Sequence, residues 1–244
     1  TIRSSSPIER LNPNLGLMWR PFPGTLLRVA AFRTLRGPDE MRQTIAPVQV
    51  AGFNRLFDGS IGETAWRYGI GIDQRVSDRL HIGVEGSRRE VEEPGLEISD
   101  NDSVDRRSER FLRAYAAVAL SPRVALSAEH FYEENVLRQL IGAEDRTHRT
   151  PLTLTYFGPS GLLGSICGTY VQQSVNPSGS TSPERESFWN LELSLGFRLP
   201  GRRGMVVATV DNLLGRDFSY RETDANQPLF LGERVFSLHA TLPF

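Results

Sequence analysis

The sequence contains no lysine: all 28 basic residues are arginine, set against 29 aspartates and glutamates. With a formal net charge of −1 and no basic stripe interleaved with aromatics, it carries no argument for a nucleic-acid partner. A single cysteine, Cys167, excludes an intrachain disulfide and any multi-cysteine metal site. Its apolar, glycine-containing surroundings read as those of a small buried or lipid-facing residue rather than a nucleophile. No run approaches the ~20 apolar residues of a membrane helix. Amphipathic helical windows of normal length are also missing; the nearest, "DEMRQTIAPVQVAGF", is interrupted by Pro47. There is neither an initiator Met nor a signal peptide, and Thr1 opens a loop-like stretch. The sequence therefore reads as a fragment or processed form whose targeting segment is missing.

What is present is alternation, from end to end. In "AWRYGIGIDQR" Trp66, Tyr68, Ile70 and Ile72 share one side, with Arg67, Gly69, Gly71, Asp73 and Arg75 on the other. "RLHIGVEGS", "FWNLELSLGFRL" and the closing "RVFSLHATLPF" repeat the pattern. Segmenting at turn signals gives about eleven strands, starting near residues 11, 25, 63, 79, 108, 124, 148, 162, 186, 204 and 232. Their connections alternate between two classes. "PFPG", "RVSD", "SPR", "GPSG" and "LPGRRG" are tight turns, whereas the links near 36–62, 92–107, 140–147, 175–185 and 221–231 are long and polar.

Short turns at one end and long links at the other predict an all-β, antiparallel, up-and-down transmembrane β-barrel. An odd number of strands in a chain that opens mid-loop predicts an incomplete, C-terminal portion of a larger barrel, residues 1–244 forming one domain. On this reading Trp19, Trp66, Tyr68, Trp189, Phe197 and Tyr220 are membrane-girdle aromatics. Arg67, Asp73, Arg75, Glu85, Glu192 and Arg198 face a wet lumen of mixed charge.

Residues 205–244 carry a resemblance. "VDNLLGRDF", with Val210, Asn212, Leu213, Leu214, Gly215 and Phe218, followed by a final strand ending in Phe244, resembles the end of TonB-dependent outer-membrane receptors. The opening "LNPNLGLMWRPFPGTLLRVAAFRTLRGP" with "QTIAPVQVAGFNRLFDG" is similar in texture to the C-terminal barrel of tetratricopeptide-repeat outer-membrane proteins. The first resemblance implies uptake of an external ligand, in the outer membrane of a Gram-negative bacterium, with Phe244 as the C-terminal insertion signal. Its implied partners are outer-membrane lipid, the barrel-insertion machinery and an inner-membrane energy-coupling complex reached through a missing N-terminal part. The second implies a porin-like export channel. A structural or adhesive outer-membrane barrel is the third expectation.

No set of residues assembles into a catalytic or metal site, and no cofactor is expected. In "HFYEEN" His130 and Glu133 point to opposite faces of a strand, and Glu134 lies about 13 Å along it from His130. Asp73, Glu85, His81 and Ser87 form the one inward-facing constellation worth naming, and it lacks a nucleophile with a base at a recognisable spacing. The link from Gly37 to Thr64 differs from the others in holding apolar residues, among them Ile45, Val50 and Phe53. Two readings stand for it. It packs on itself or extends the strands as a hairpin above the membrane; or it folds over or into the pore, with Gln49, Asn54, Arg55 and Phe57 contacting a ligand.

Overall fold

The computed structural model describes residues 11–37, 49–55, 61–94, 104–137, 143–176, 182–220 and 230–242. The long strands are β1 (Asn14–Trp19), β2 (Thr25–Leu35), β5 (Thr64–Arg75), β6 (Leu80–Pro94), β7 (Val104–Ser121), β8 (Val124–Leu137), β9 (Ala143–Phe157), β10 (Leu162–Asn176), β11 (Glu184–Arg198), β12 (Met205–Asp211) and β15 (Val235–Thr241). They form one antiparallel eleven-stranded sheet in chain order. Two small hairpins stand apart from it, β3 (Gln49–Val50) with β4 (Phe53–Asn54), and β13 (Ser219–Tyr220) with β14 (Phe230–Leu231). Among the described residues no helix is long and apolar enough to cross a membrane.

Turn chemistry sets the hairpins. Ser77 Oγ accepts from the amides of Arg79 and Leu80 between β5 and β6, and Ser121 Oγ does the same for Arg123 and Val124 between β7 and β8. Gly24, at φ 82°, closes the first hairpin, where a Cβ would meet the Arg75 carbonyl oxygen at 2.7 Å.

Because the side-chain period is two, register gives the sheet two unlike faces. On one, Leu17, Val29, Ile70, Gly86 and Leu112 lie opposite one another across β1, β2, β5, β6 and β7. Leu195, Ala208 and Leu238 continue that face across β11, β12 and β15. Further along it, Arg88, Arg110, Glu134 and Arg146 make a charged band. The other face carries Arg28, Asp73, Glu85, Arg113, Glu129 and Glu192. The hairpin of β3 and β4 covers part of this polar face, where Phe53 packs with Ala30 and Phe32 to form the main apolar cluster.

The sheet is open. Among the described residues β1 pairs with β2 alone and β15 with β12 alone. The expected fold class is corrected accordingly: the chain is all-β and antiparallel, but not a closed up-and-down transmembrane barrel. A strand that crosses hydrocarbon needs partners on both sides for its backbone groups, and among the described residues each edge strand has a partner on one side only. The readings that rested on closure fall with it. Uptake through a barrel, porin-like export and the adhesive outer-membrane barrel are unsupported. So are contact with outer-membrane lipid, the insertion machinery, the inner-membrane coupling complex and an outer-membrane location. Alternation specified strands and faces, while closure depends on whether the first and last strands meet, which no local pattern encodes.

Candidate functional site

The polar face holds a ladder of alternating charge built by five strands. Arg28 of β2 donates through Nε to Asp73 of β5 at 2.7 Å and through Nη2 to Glu85 of β6 at 2.8 Å. Arg113 of β7 sits 3.8 Å from Glu85 and donates to Glu129 of β8 at 2.7 Å. The Tyr115 hydroxyl donates to the second Asp73 oxygen at 2.6 Å. Glycine makes room for this layer: a Cβ on Gly71 would meet the Arg28 guanidinium at 3.0 Å, and one on Gly83 would meet the Tyr115 ring at 2.5 Å. Phe131 lies between two cations, Arg113 and Arg149, at 5.6 and 5.4 Å from its ring centre.

Electrostatics follow from that packing. Burial opposes the charge of Arg28, but the hydrogen bonds and charges of Asp73 and Glu85 outweigh it and raise its pKa. Arg113 is raised in the same way, against burial, by Glu129 and Glu85. Burial and the bond to Asp73 push the Tyr115 phenol up to about 12. A second ladder is more enclosed: Arg89, only 3% exposed, donates to Glu63 at 2.6 Å and to Glu109 at 3.1 Å. The pairings thus favour the charged guanidiniums of Arg28 and Arg113 and the neutral phenol of Tyr115.

The residues expected to face inward, Arg67, Asp73, Arg75, Glu85, Glu192 and Arg198, all share the polar face by register. Only Asp73 and Glu85 are drawn together, on Arg28. Arg67 reaches Ser87 at 2.9 Å and the Asn54 carbonyl at 3.0 Å. Glu192 accepts from Ser194 at 3.3 Å, while Arg75 and Arg198 are exposed further along. His81 takes no part in the ladder; it lies opposite Arg75. In the hairpin Gln49 donates to Asn54 at 2.9 Å, beside Arg55; Phe57 lies outside the described residues, as do Ile45 and Phe244.

Trp19, Trp66, Tyr68, Trp189 and Phe197 lie on the apolar side, with Trp66 stacked on Tyr68 at 5.8 Å and Trp189 beside Tyr170 at 5.2 Å. Tyr220 stands on β13, its ring 6.5 Å from Phe188. Asn212, in the positive-φ region at 48°, is buried and ties a turn together by bonding Arg216 and Gly232. Tyr115, Arg89 and the pairing of His130 with His148 escaped the sequence reading, because each acts through a strand that only register brings alongside. A histidine in "EDRTHRT" was the available signal for the last.

Cys167 lies 3.7 Å from Thr169. No group of three or more metal-ligating side chains forms among the described residues.

No family model matches the chain, and neither a curated protein nor a solved structure is similar to it. The resemblance to TonB-dependent receptors, and the softer one to tetratricopeptide-repeat barrels, is therefore corrected. Neither barrel closure is formed, and the "VDNLLG" element makes a local turn clamp at the end of β12.

Proposed function

We propose that this chain is a non-catalytic assembly module whose apolar sheet face is covered by the same face of a second copy. The observation that carries the reading is surface area. A compact monomer of 27.3 kDa exposes ~11,000 Å², and this chain exposes 16801 Å². Stable folds bury a sheet's apolar face under a second layer, and this apolar face has none among the described residues. Ile70, Val29 and Leu17 at one side of it are 66%, 45% and 62% exposed, and Leu238 at the other is 75% exposed.

A second copy suits this face because its apolar band carries no charge. A two-fold interface lays a patch on itself, and an uncharged patch meets no like-charge penalty when it does so. The charged band of Arg88, Arg110, Glu134 and Arg146 then stays in water at the rim. On the polar face, carboxylates engaged by arginines support a lining that holds shape and does no chemistry.

Sedimentation velocity of the full chain tests the reading. It expects a particle of twice 27.3 kDa and a shift to half that mass when Ile70→Glu is combined with Leu238→Glu. A monomer at every concentration, in buffer or in detergent, overturns it.

A further inference from the structure

The sequence holds four histidines, His81, His130, His148 and His239, and register divides them between the two faces of the sheet. His81, opposite Arg75, and His239, opposite Val207, belong to the polar face. His130 and His148 belong to the other, inside its apolar rows. One row runs from Ile70 through Gly86, Leu112 and Tyr132 to His148. The next runs from Ile72 through Val84 and Ala114 to His130. The two rings are neighbours: His130 Nε2 is 3.5 Å from His148 Nδ1, and the ring centres are 5.5 Å apart. We propose that this histidine pair makes the association of two copies proton-sensitive, the apolar faces parting when the imidazoles take up protons. The inference rests on the pairing of apolar faces already proposed.

Three features support it. First, histidine is the side chain whose unperturbed charge changes between about pH 5 and 8, and on the apolar face the pair supplies all of the histidine. Second, a surrounding of low dielectric disfavours a charged imidazole. His148 already shows that direction, since burial and then the neighbouring His130 lower its pKa from the ordinary 6.5. A second copy laid over the same row as Ile70 adds burial. Third, the neighbouring side chains offer no free carboxylate to hold a charged ring. On β8 the Tyr132 ring is 4.9 Å from His148, while Glu134 is held by Arg110 of β7 at 2.9 Å and by Arg146 of β9 at 3.1 Å. Otherwise β7 presents Leu112 and Ala114, β9 presents Thr150, and β10 presents Tyr170 and Gln172. The covered state therefore binds fewer protons than the separated copy. Association is complete above about pH 6.5 and weakens as pH falls below it.

Sedimentation velocity of the full chain at about pH 7.5 and about pH 5 tests the switch. The dimer present at the higher pH is expected to dissociate at the lower, its Kd rising about tenfold or more. Combining His130→Gln with His148→Gln removes the pH dependence, the two Kd values then agreeing within about twofold. Combining His81→Gln with His239→Gln keeps it. Independently, the His148 ring followed by NMR titrates at lower pH in the wild-type dimer than in the monomeric Ile70→Glu and Leu238→Glu variant. Far-ultraviolet circular dichroism confirms the sheet in each variant and at both pH values. Equal dimer affinity at both pH values, or acid dissociation that persists in the double glutamine variant, overturns the switch and leaves the association of copies standing. Loss of the sheet at the lower pH overturns the switch as well. A monomer at both pH values overturns the association itself, and the switch with it.

Discussion

Arg89 shows what one side chain can decide. Its guanidinium is enclosed between Glu63 and Glu109, contributed by the lead-in to β5 and by β7. Removing one partner from a buried ionic group leaves the others without compensation in low dielectric. Arg89→Leu is expected to cost about 3–5 kcal/mol, seen as a lower urea midpoint. Tyr115 gives a pH signature. Its folded phenol titrates at about 12, against an ordinary value of 10.0. Between those values the unfolded chain has lost the proton and the folded chain has kept it. Stability from this group is therefore complete below pH ~10 and declines as pH rises above it. Denaturation followed by tyrosinate absorbance should show that decline. Tyr115→Phe should remove its share of the slope, at a cost of about 1 kcal/mol for the bond to Asp73. Tyrosine in "RAYAAVAL" announced none of this, because its partner belongs to β5, 42 residues earlier.

At the scale of elements, the hairpin of β3 and β4 depends on an absent side chain. A Cβ on Gly69 would stand 2.6 Å from the Phe53 ring, too close for either to stay. Gly69→Val is expected to lift Phe53 from Ala30 and Phe32, forfeiting about 1.5–3 kcal/mol of burial. Faster amide exchange at residues 49–54, with the register of β2 and β5 intact, is the measurement. Element positions were largely legible beforehand. Strands expected near 25, 124 and 162 begin at Thr25, Val124 and Leu162, since Pro, Gly, Ser and Asp mark the tight turns before them. Starts expected near 108 and 148 fall instead at Val104 and Ala143, because those strands extend into polar stretches where alternation of apolar residues fades. The apolar residues of the long link were a fair signal of packing. Where Phe53 would pack depended on a glycine in another strand.

At the largest scale, the governing fact is an eleven-stranded sheet whose two edges are unpaired and whose apolar face is uncovered among the described residues. Unpaired edges are managed in nature by charge, by brevity or by a covering partner; β1, with six residues, is the shortest strand of the main sheet, and β15 ties with β12 at seven. The dimer expected from sedimentation should also be insensitive to salt. Its contact surface is apolar, and screening acts on charges. A dimer that dissociates in high salt would place the contact on the band around Arg110 and Glu134 instead.

The sequence alone determined the strand class, the approximate number of strands in the main sheet and, in the cleanly alternating strands, which residues alternate together, because each is carried by a period of two and by turn residues a few positions apart. Tertiary structure decided that the sheet stays open, that Asp73, Arg28, Glu85 and Arg113 interlock, and that His130 meets His148. These contacts join residues 18 to 57 positions apart or concern the two edge strands of the sheet. They depend on register and on which strands become neighbours, and both emerge only when the backbone ladders form.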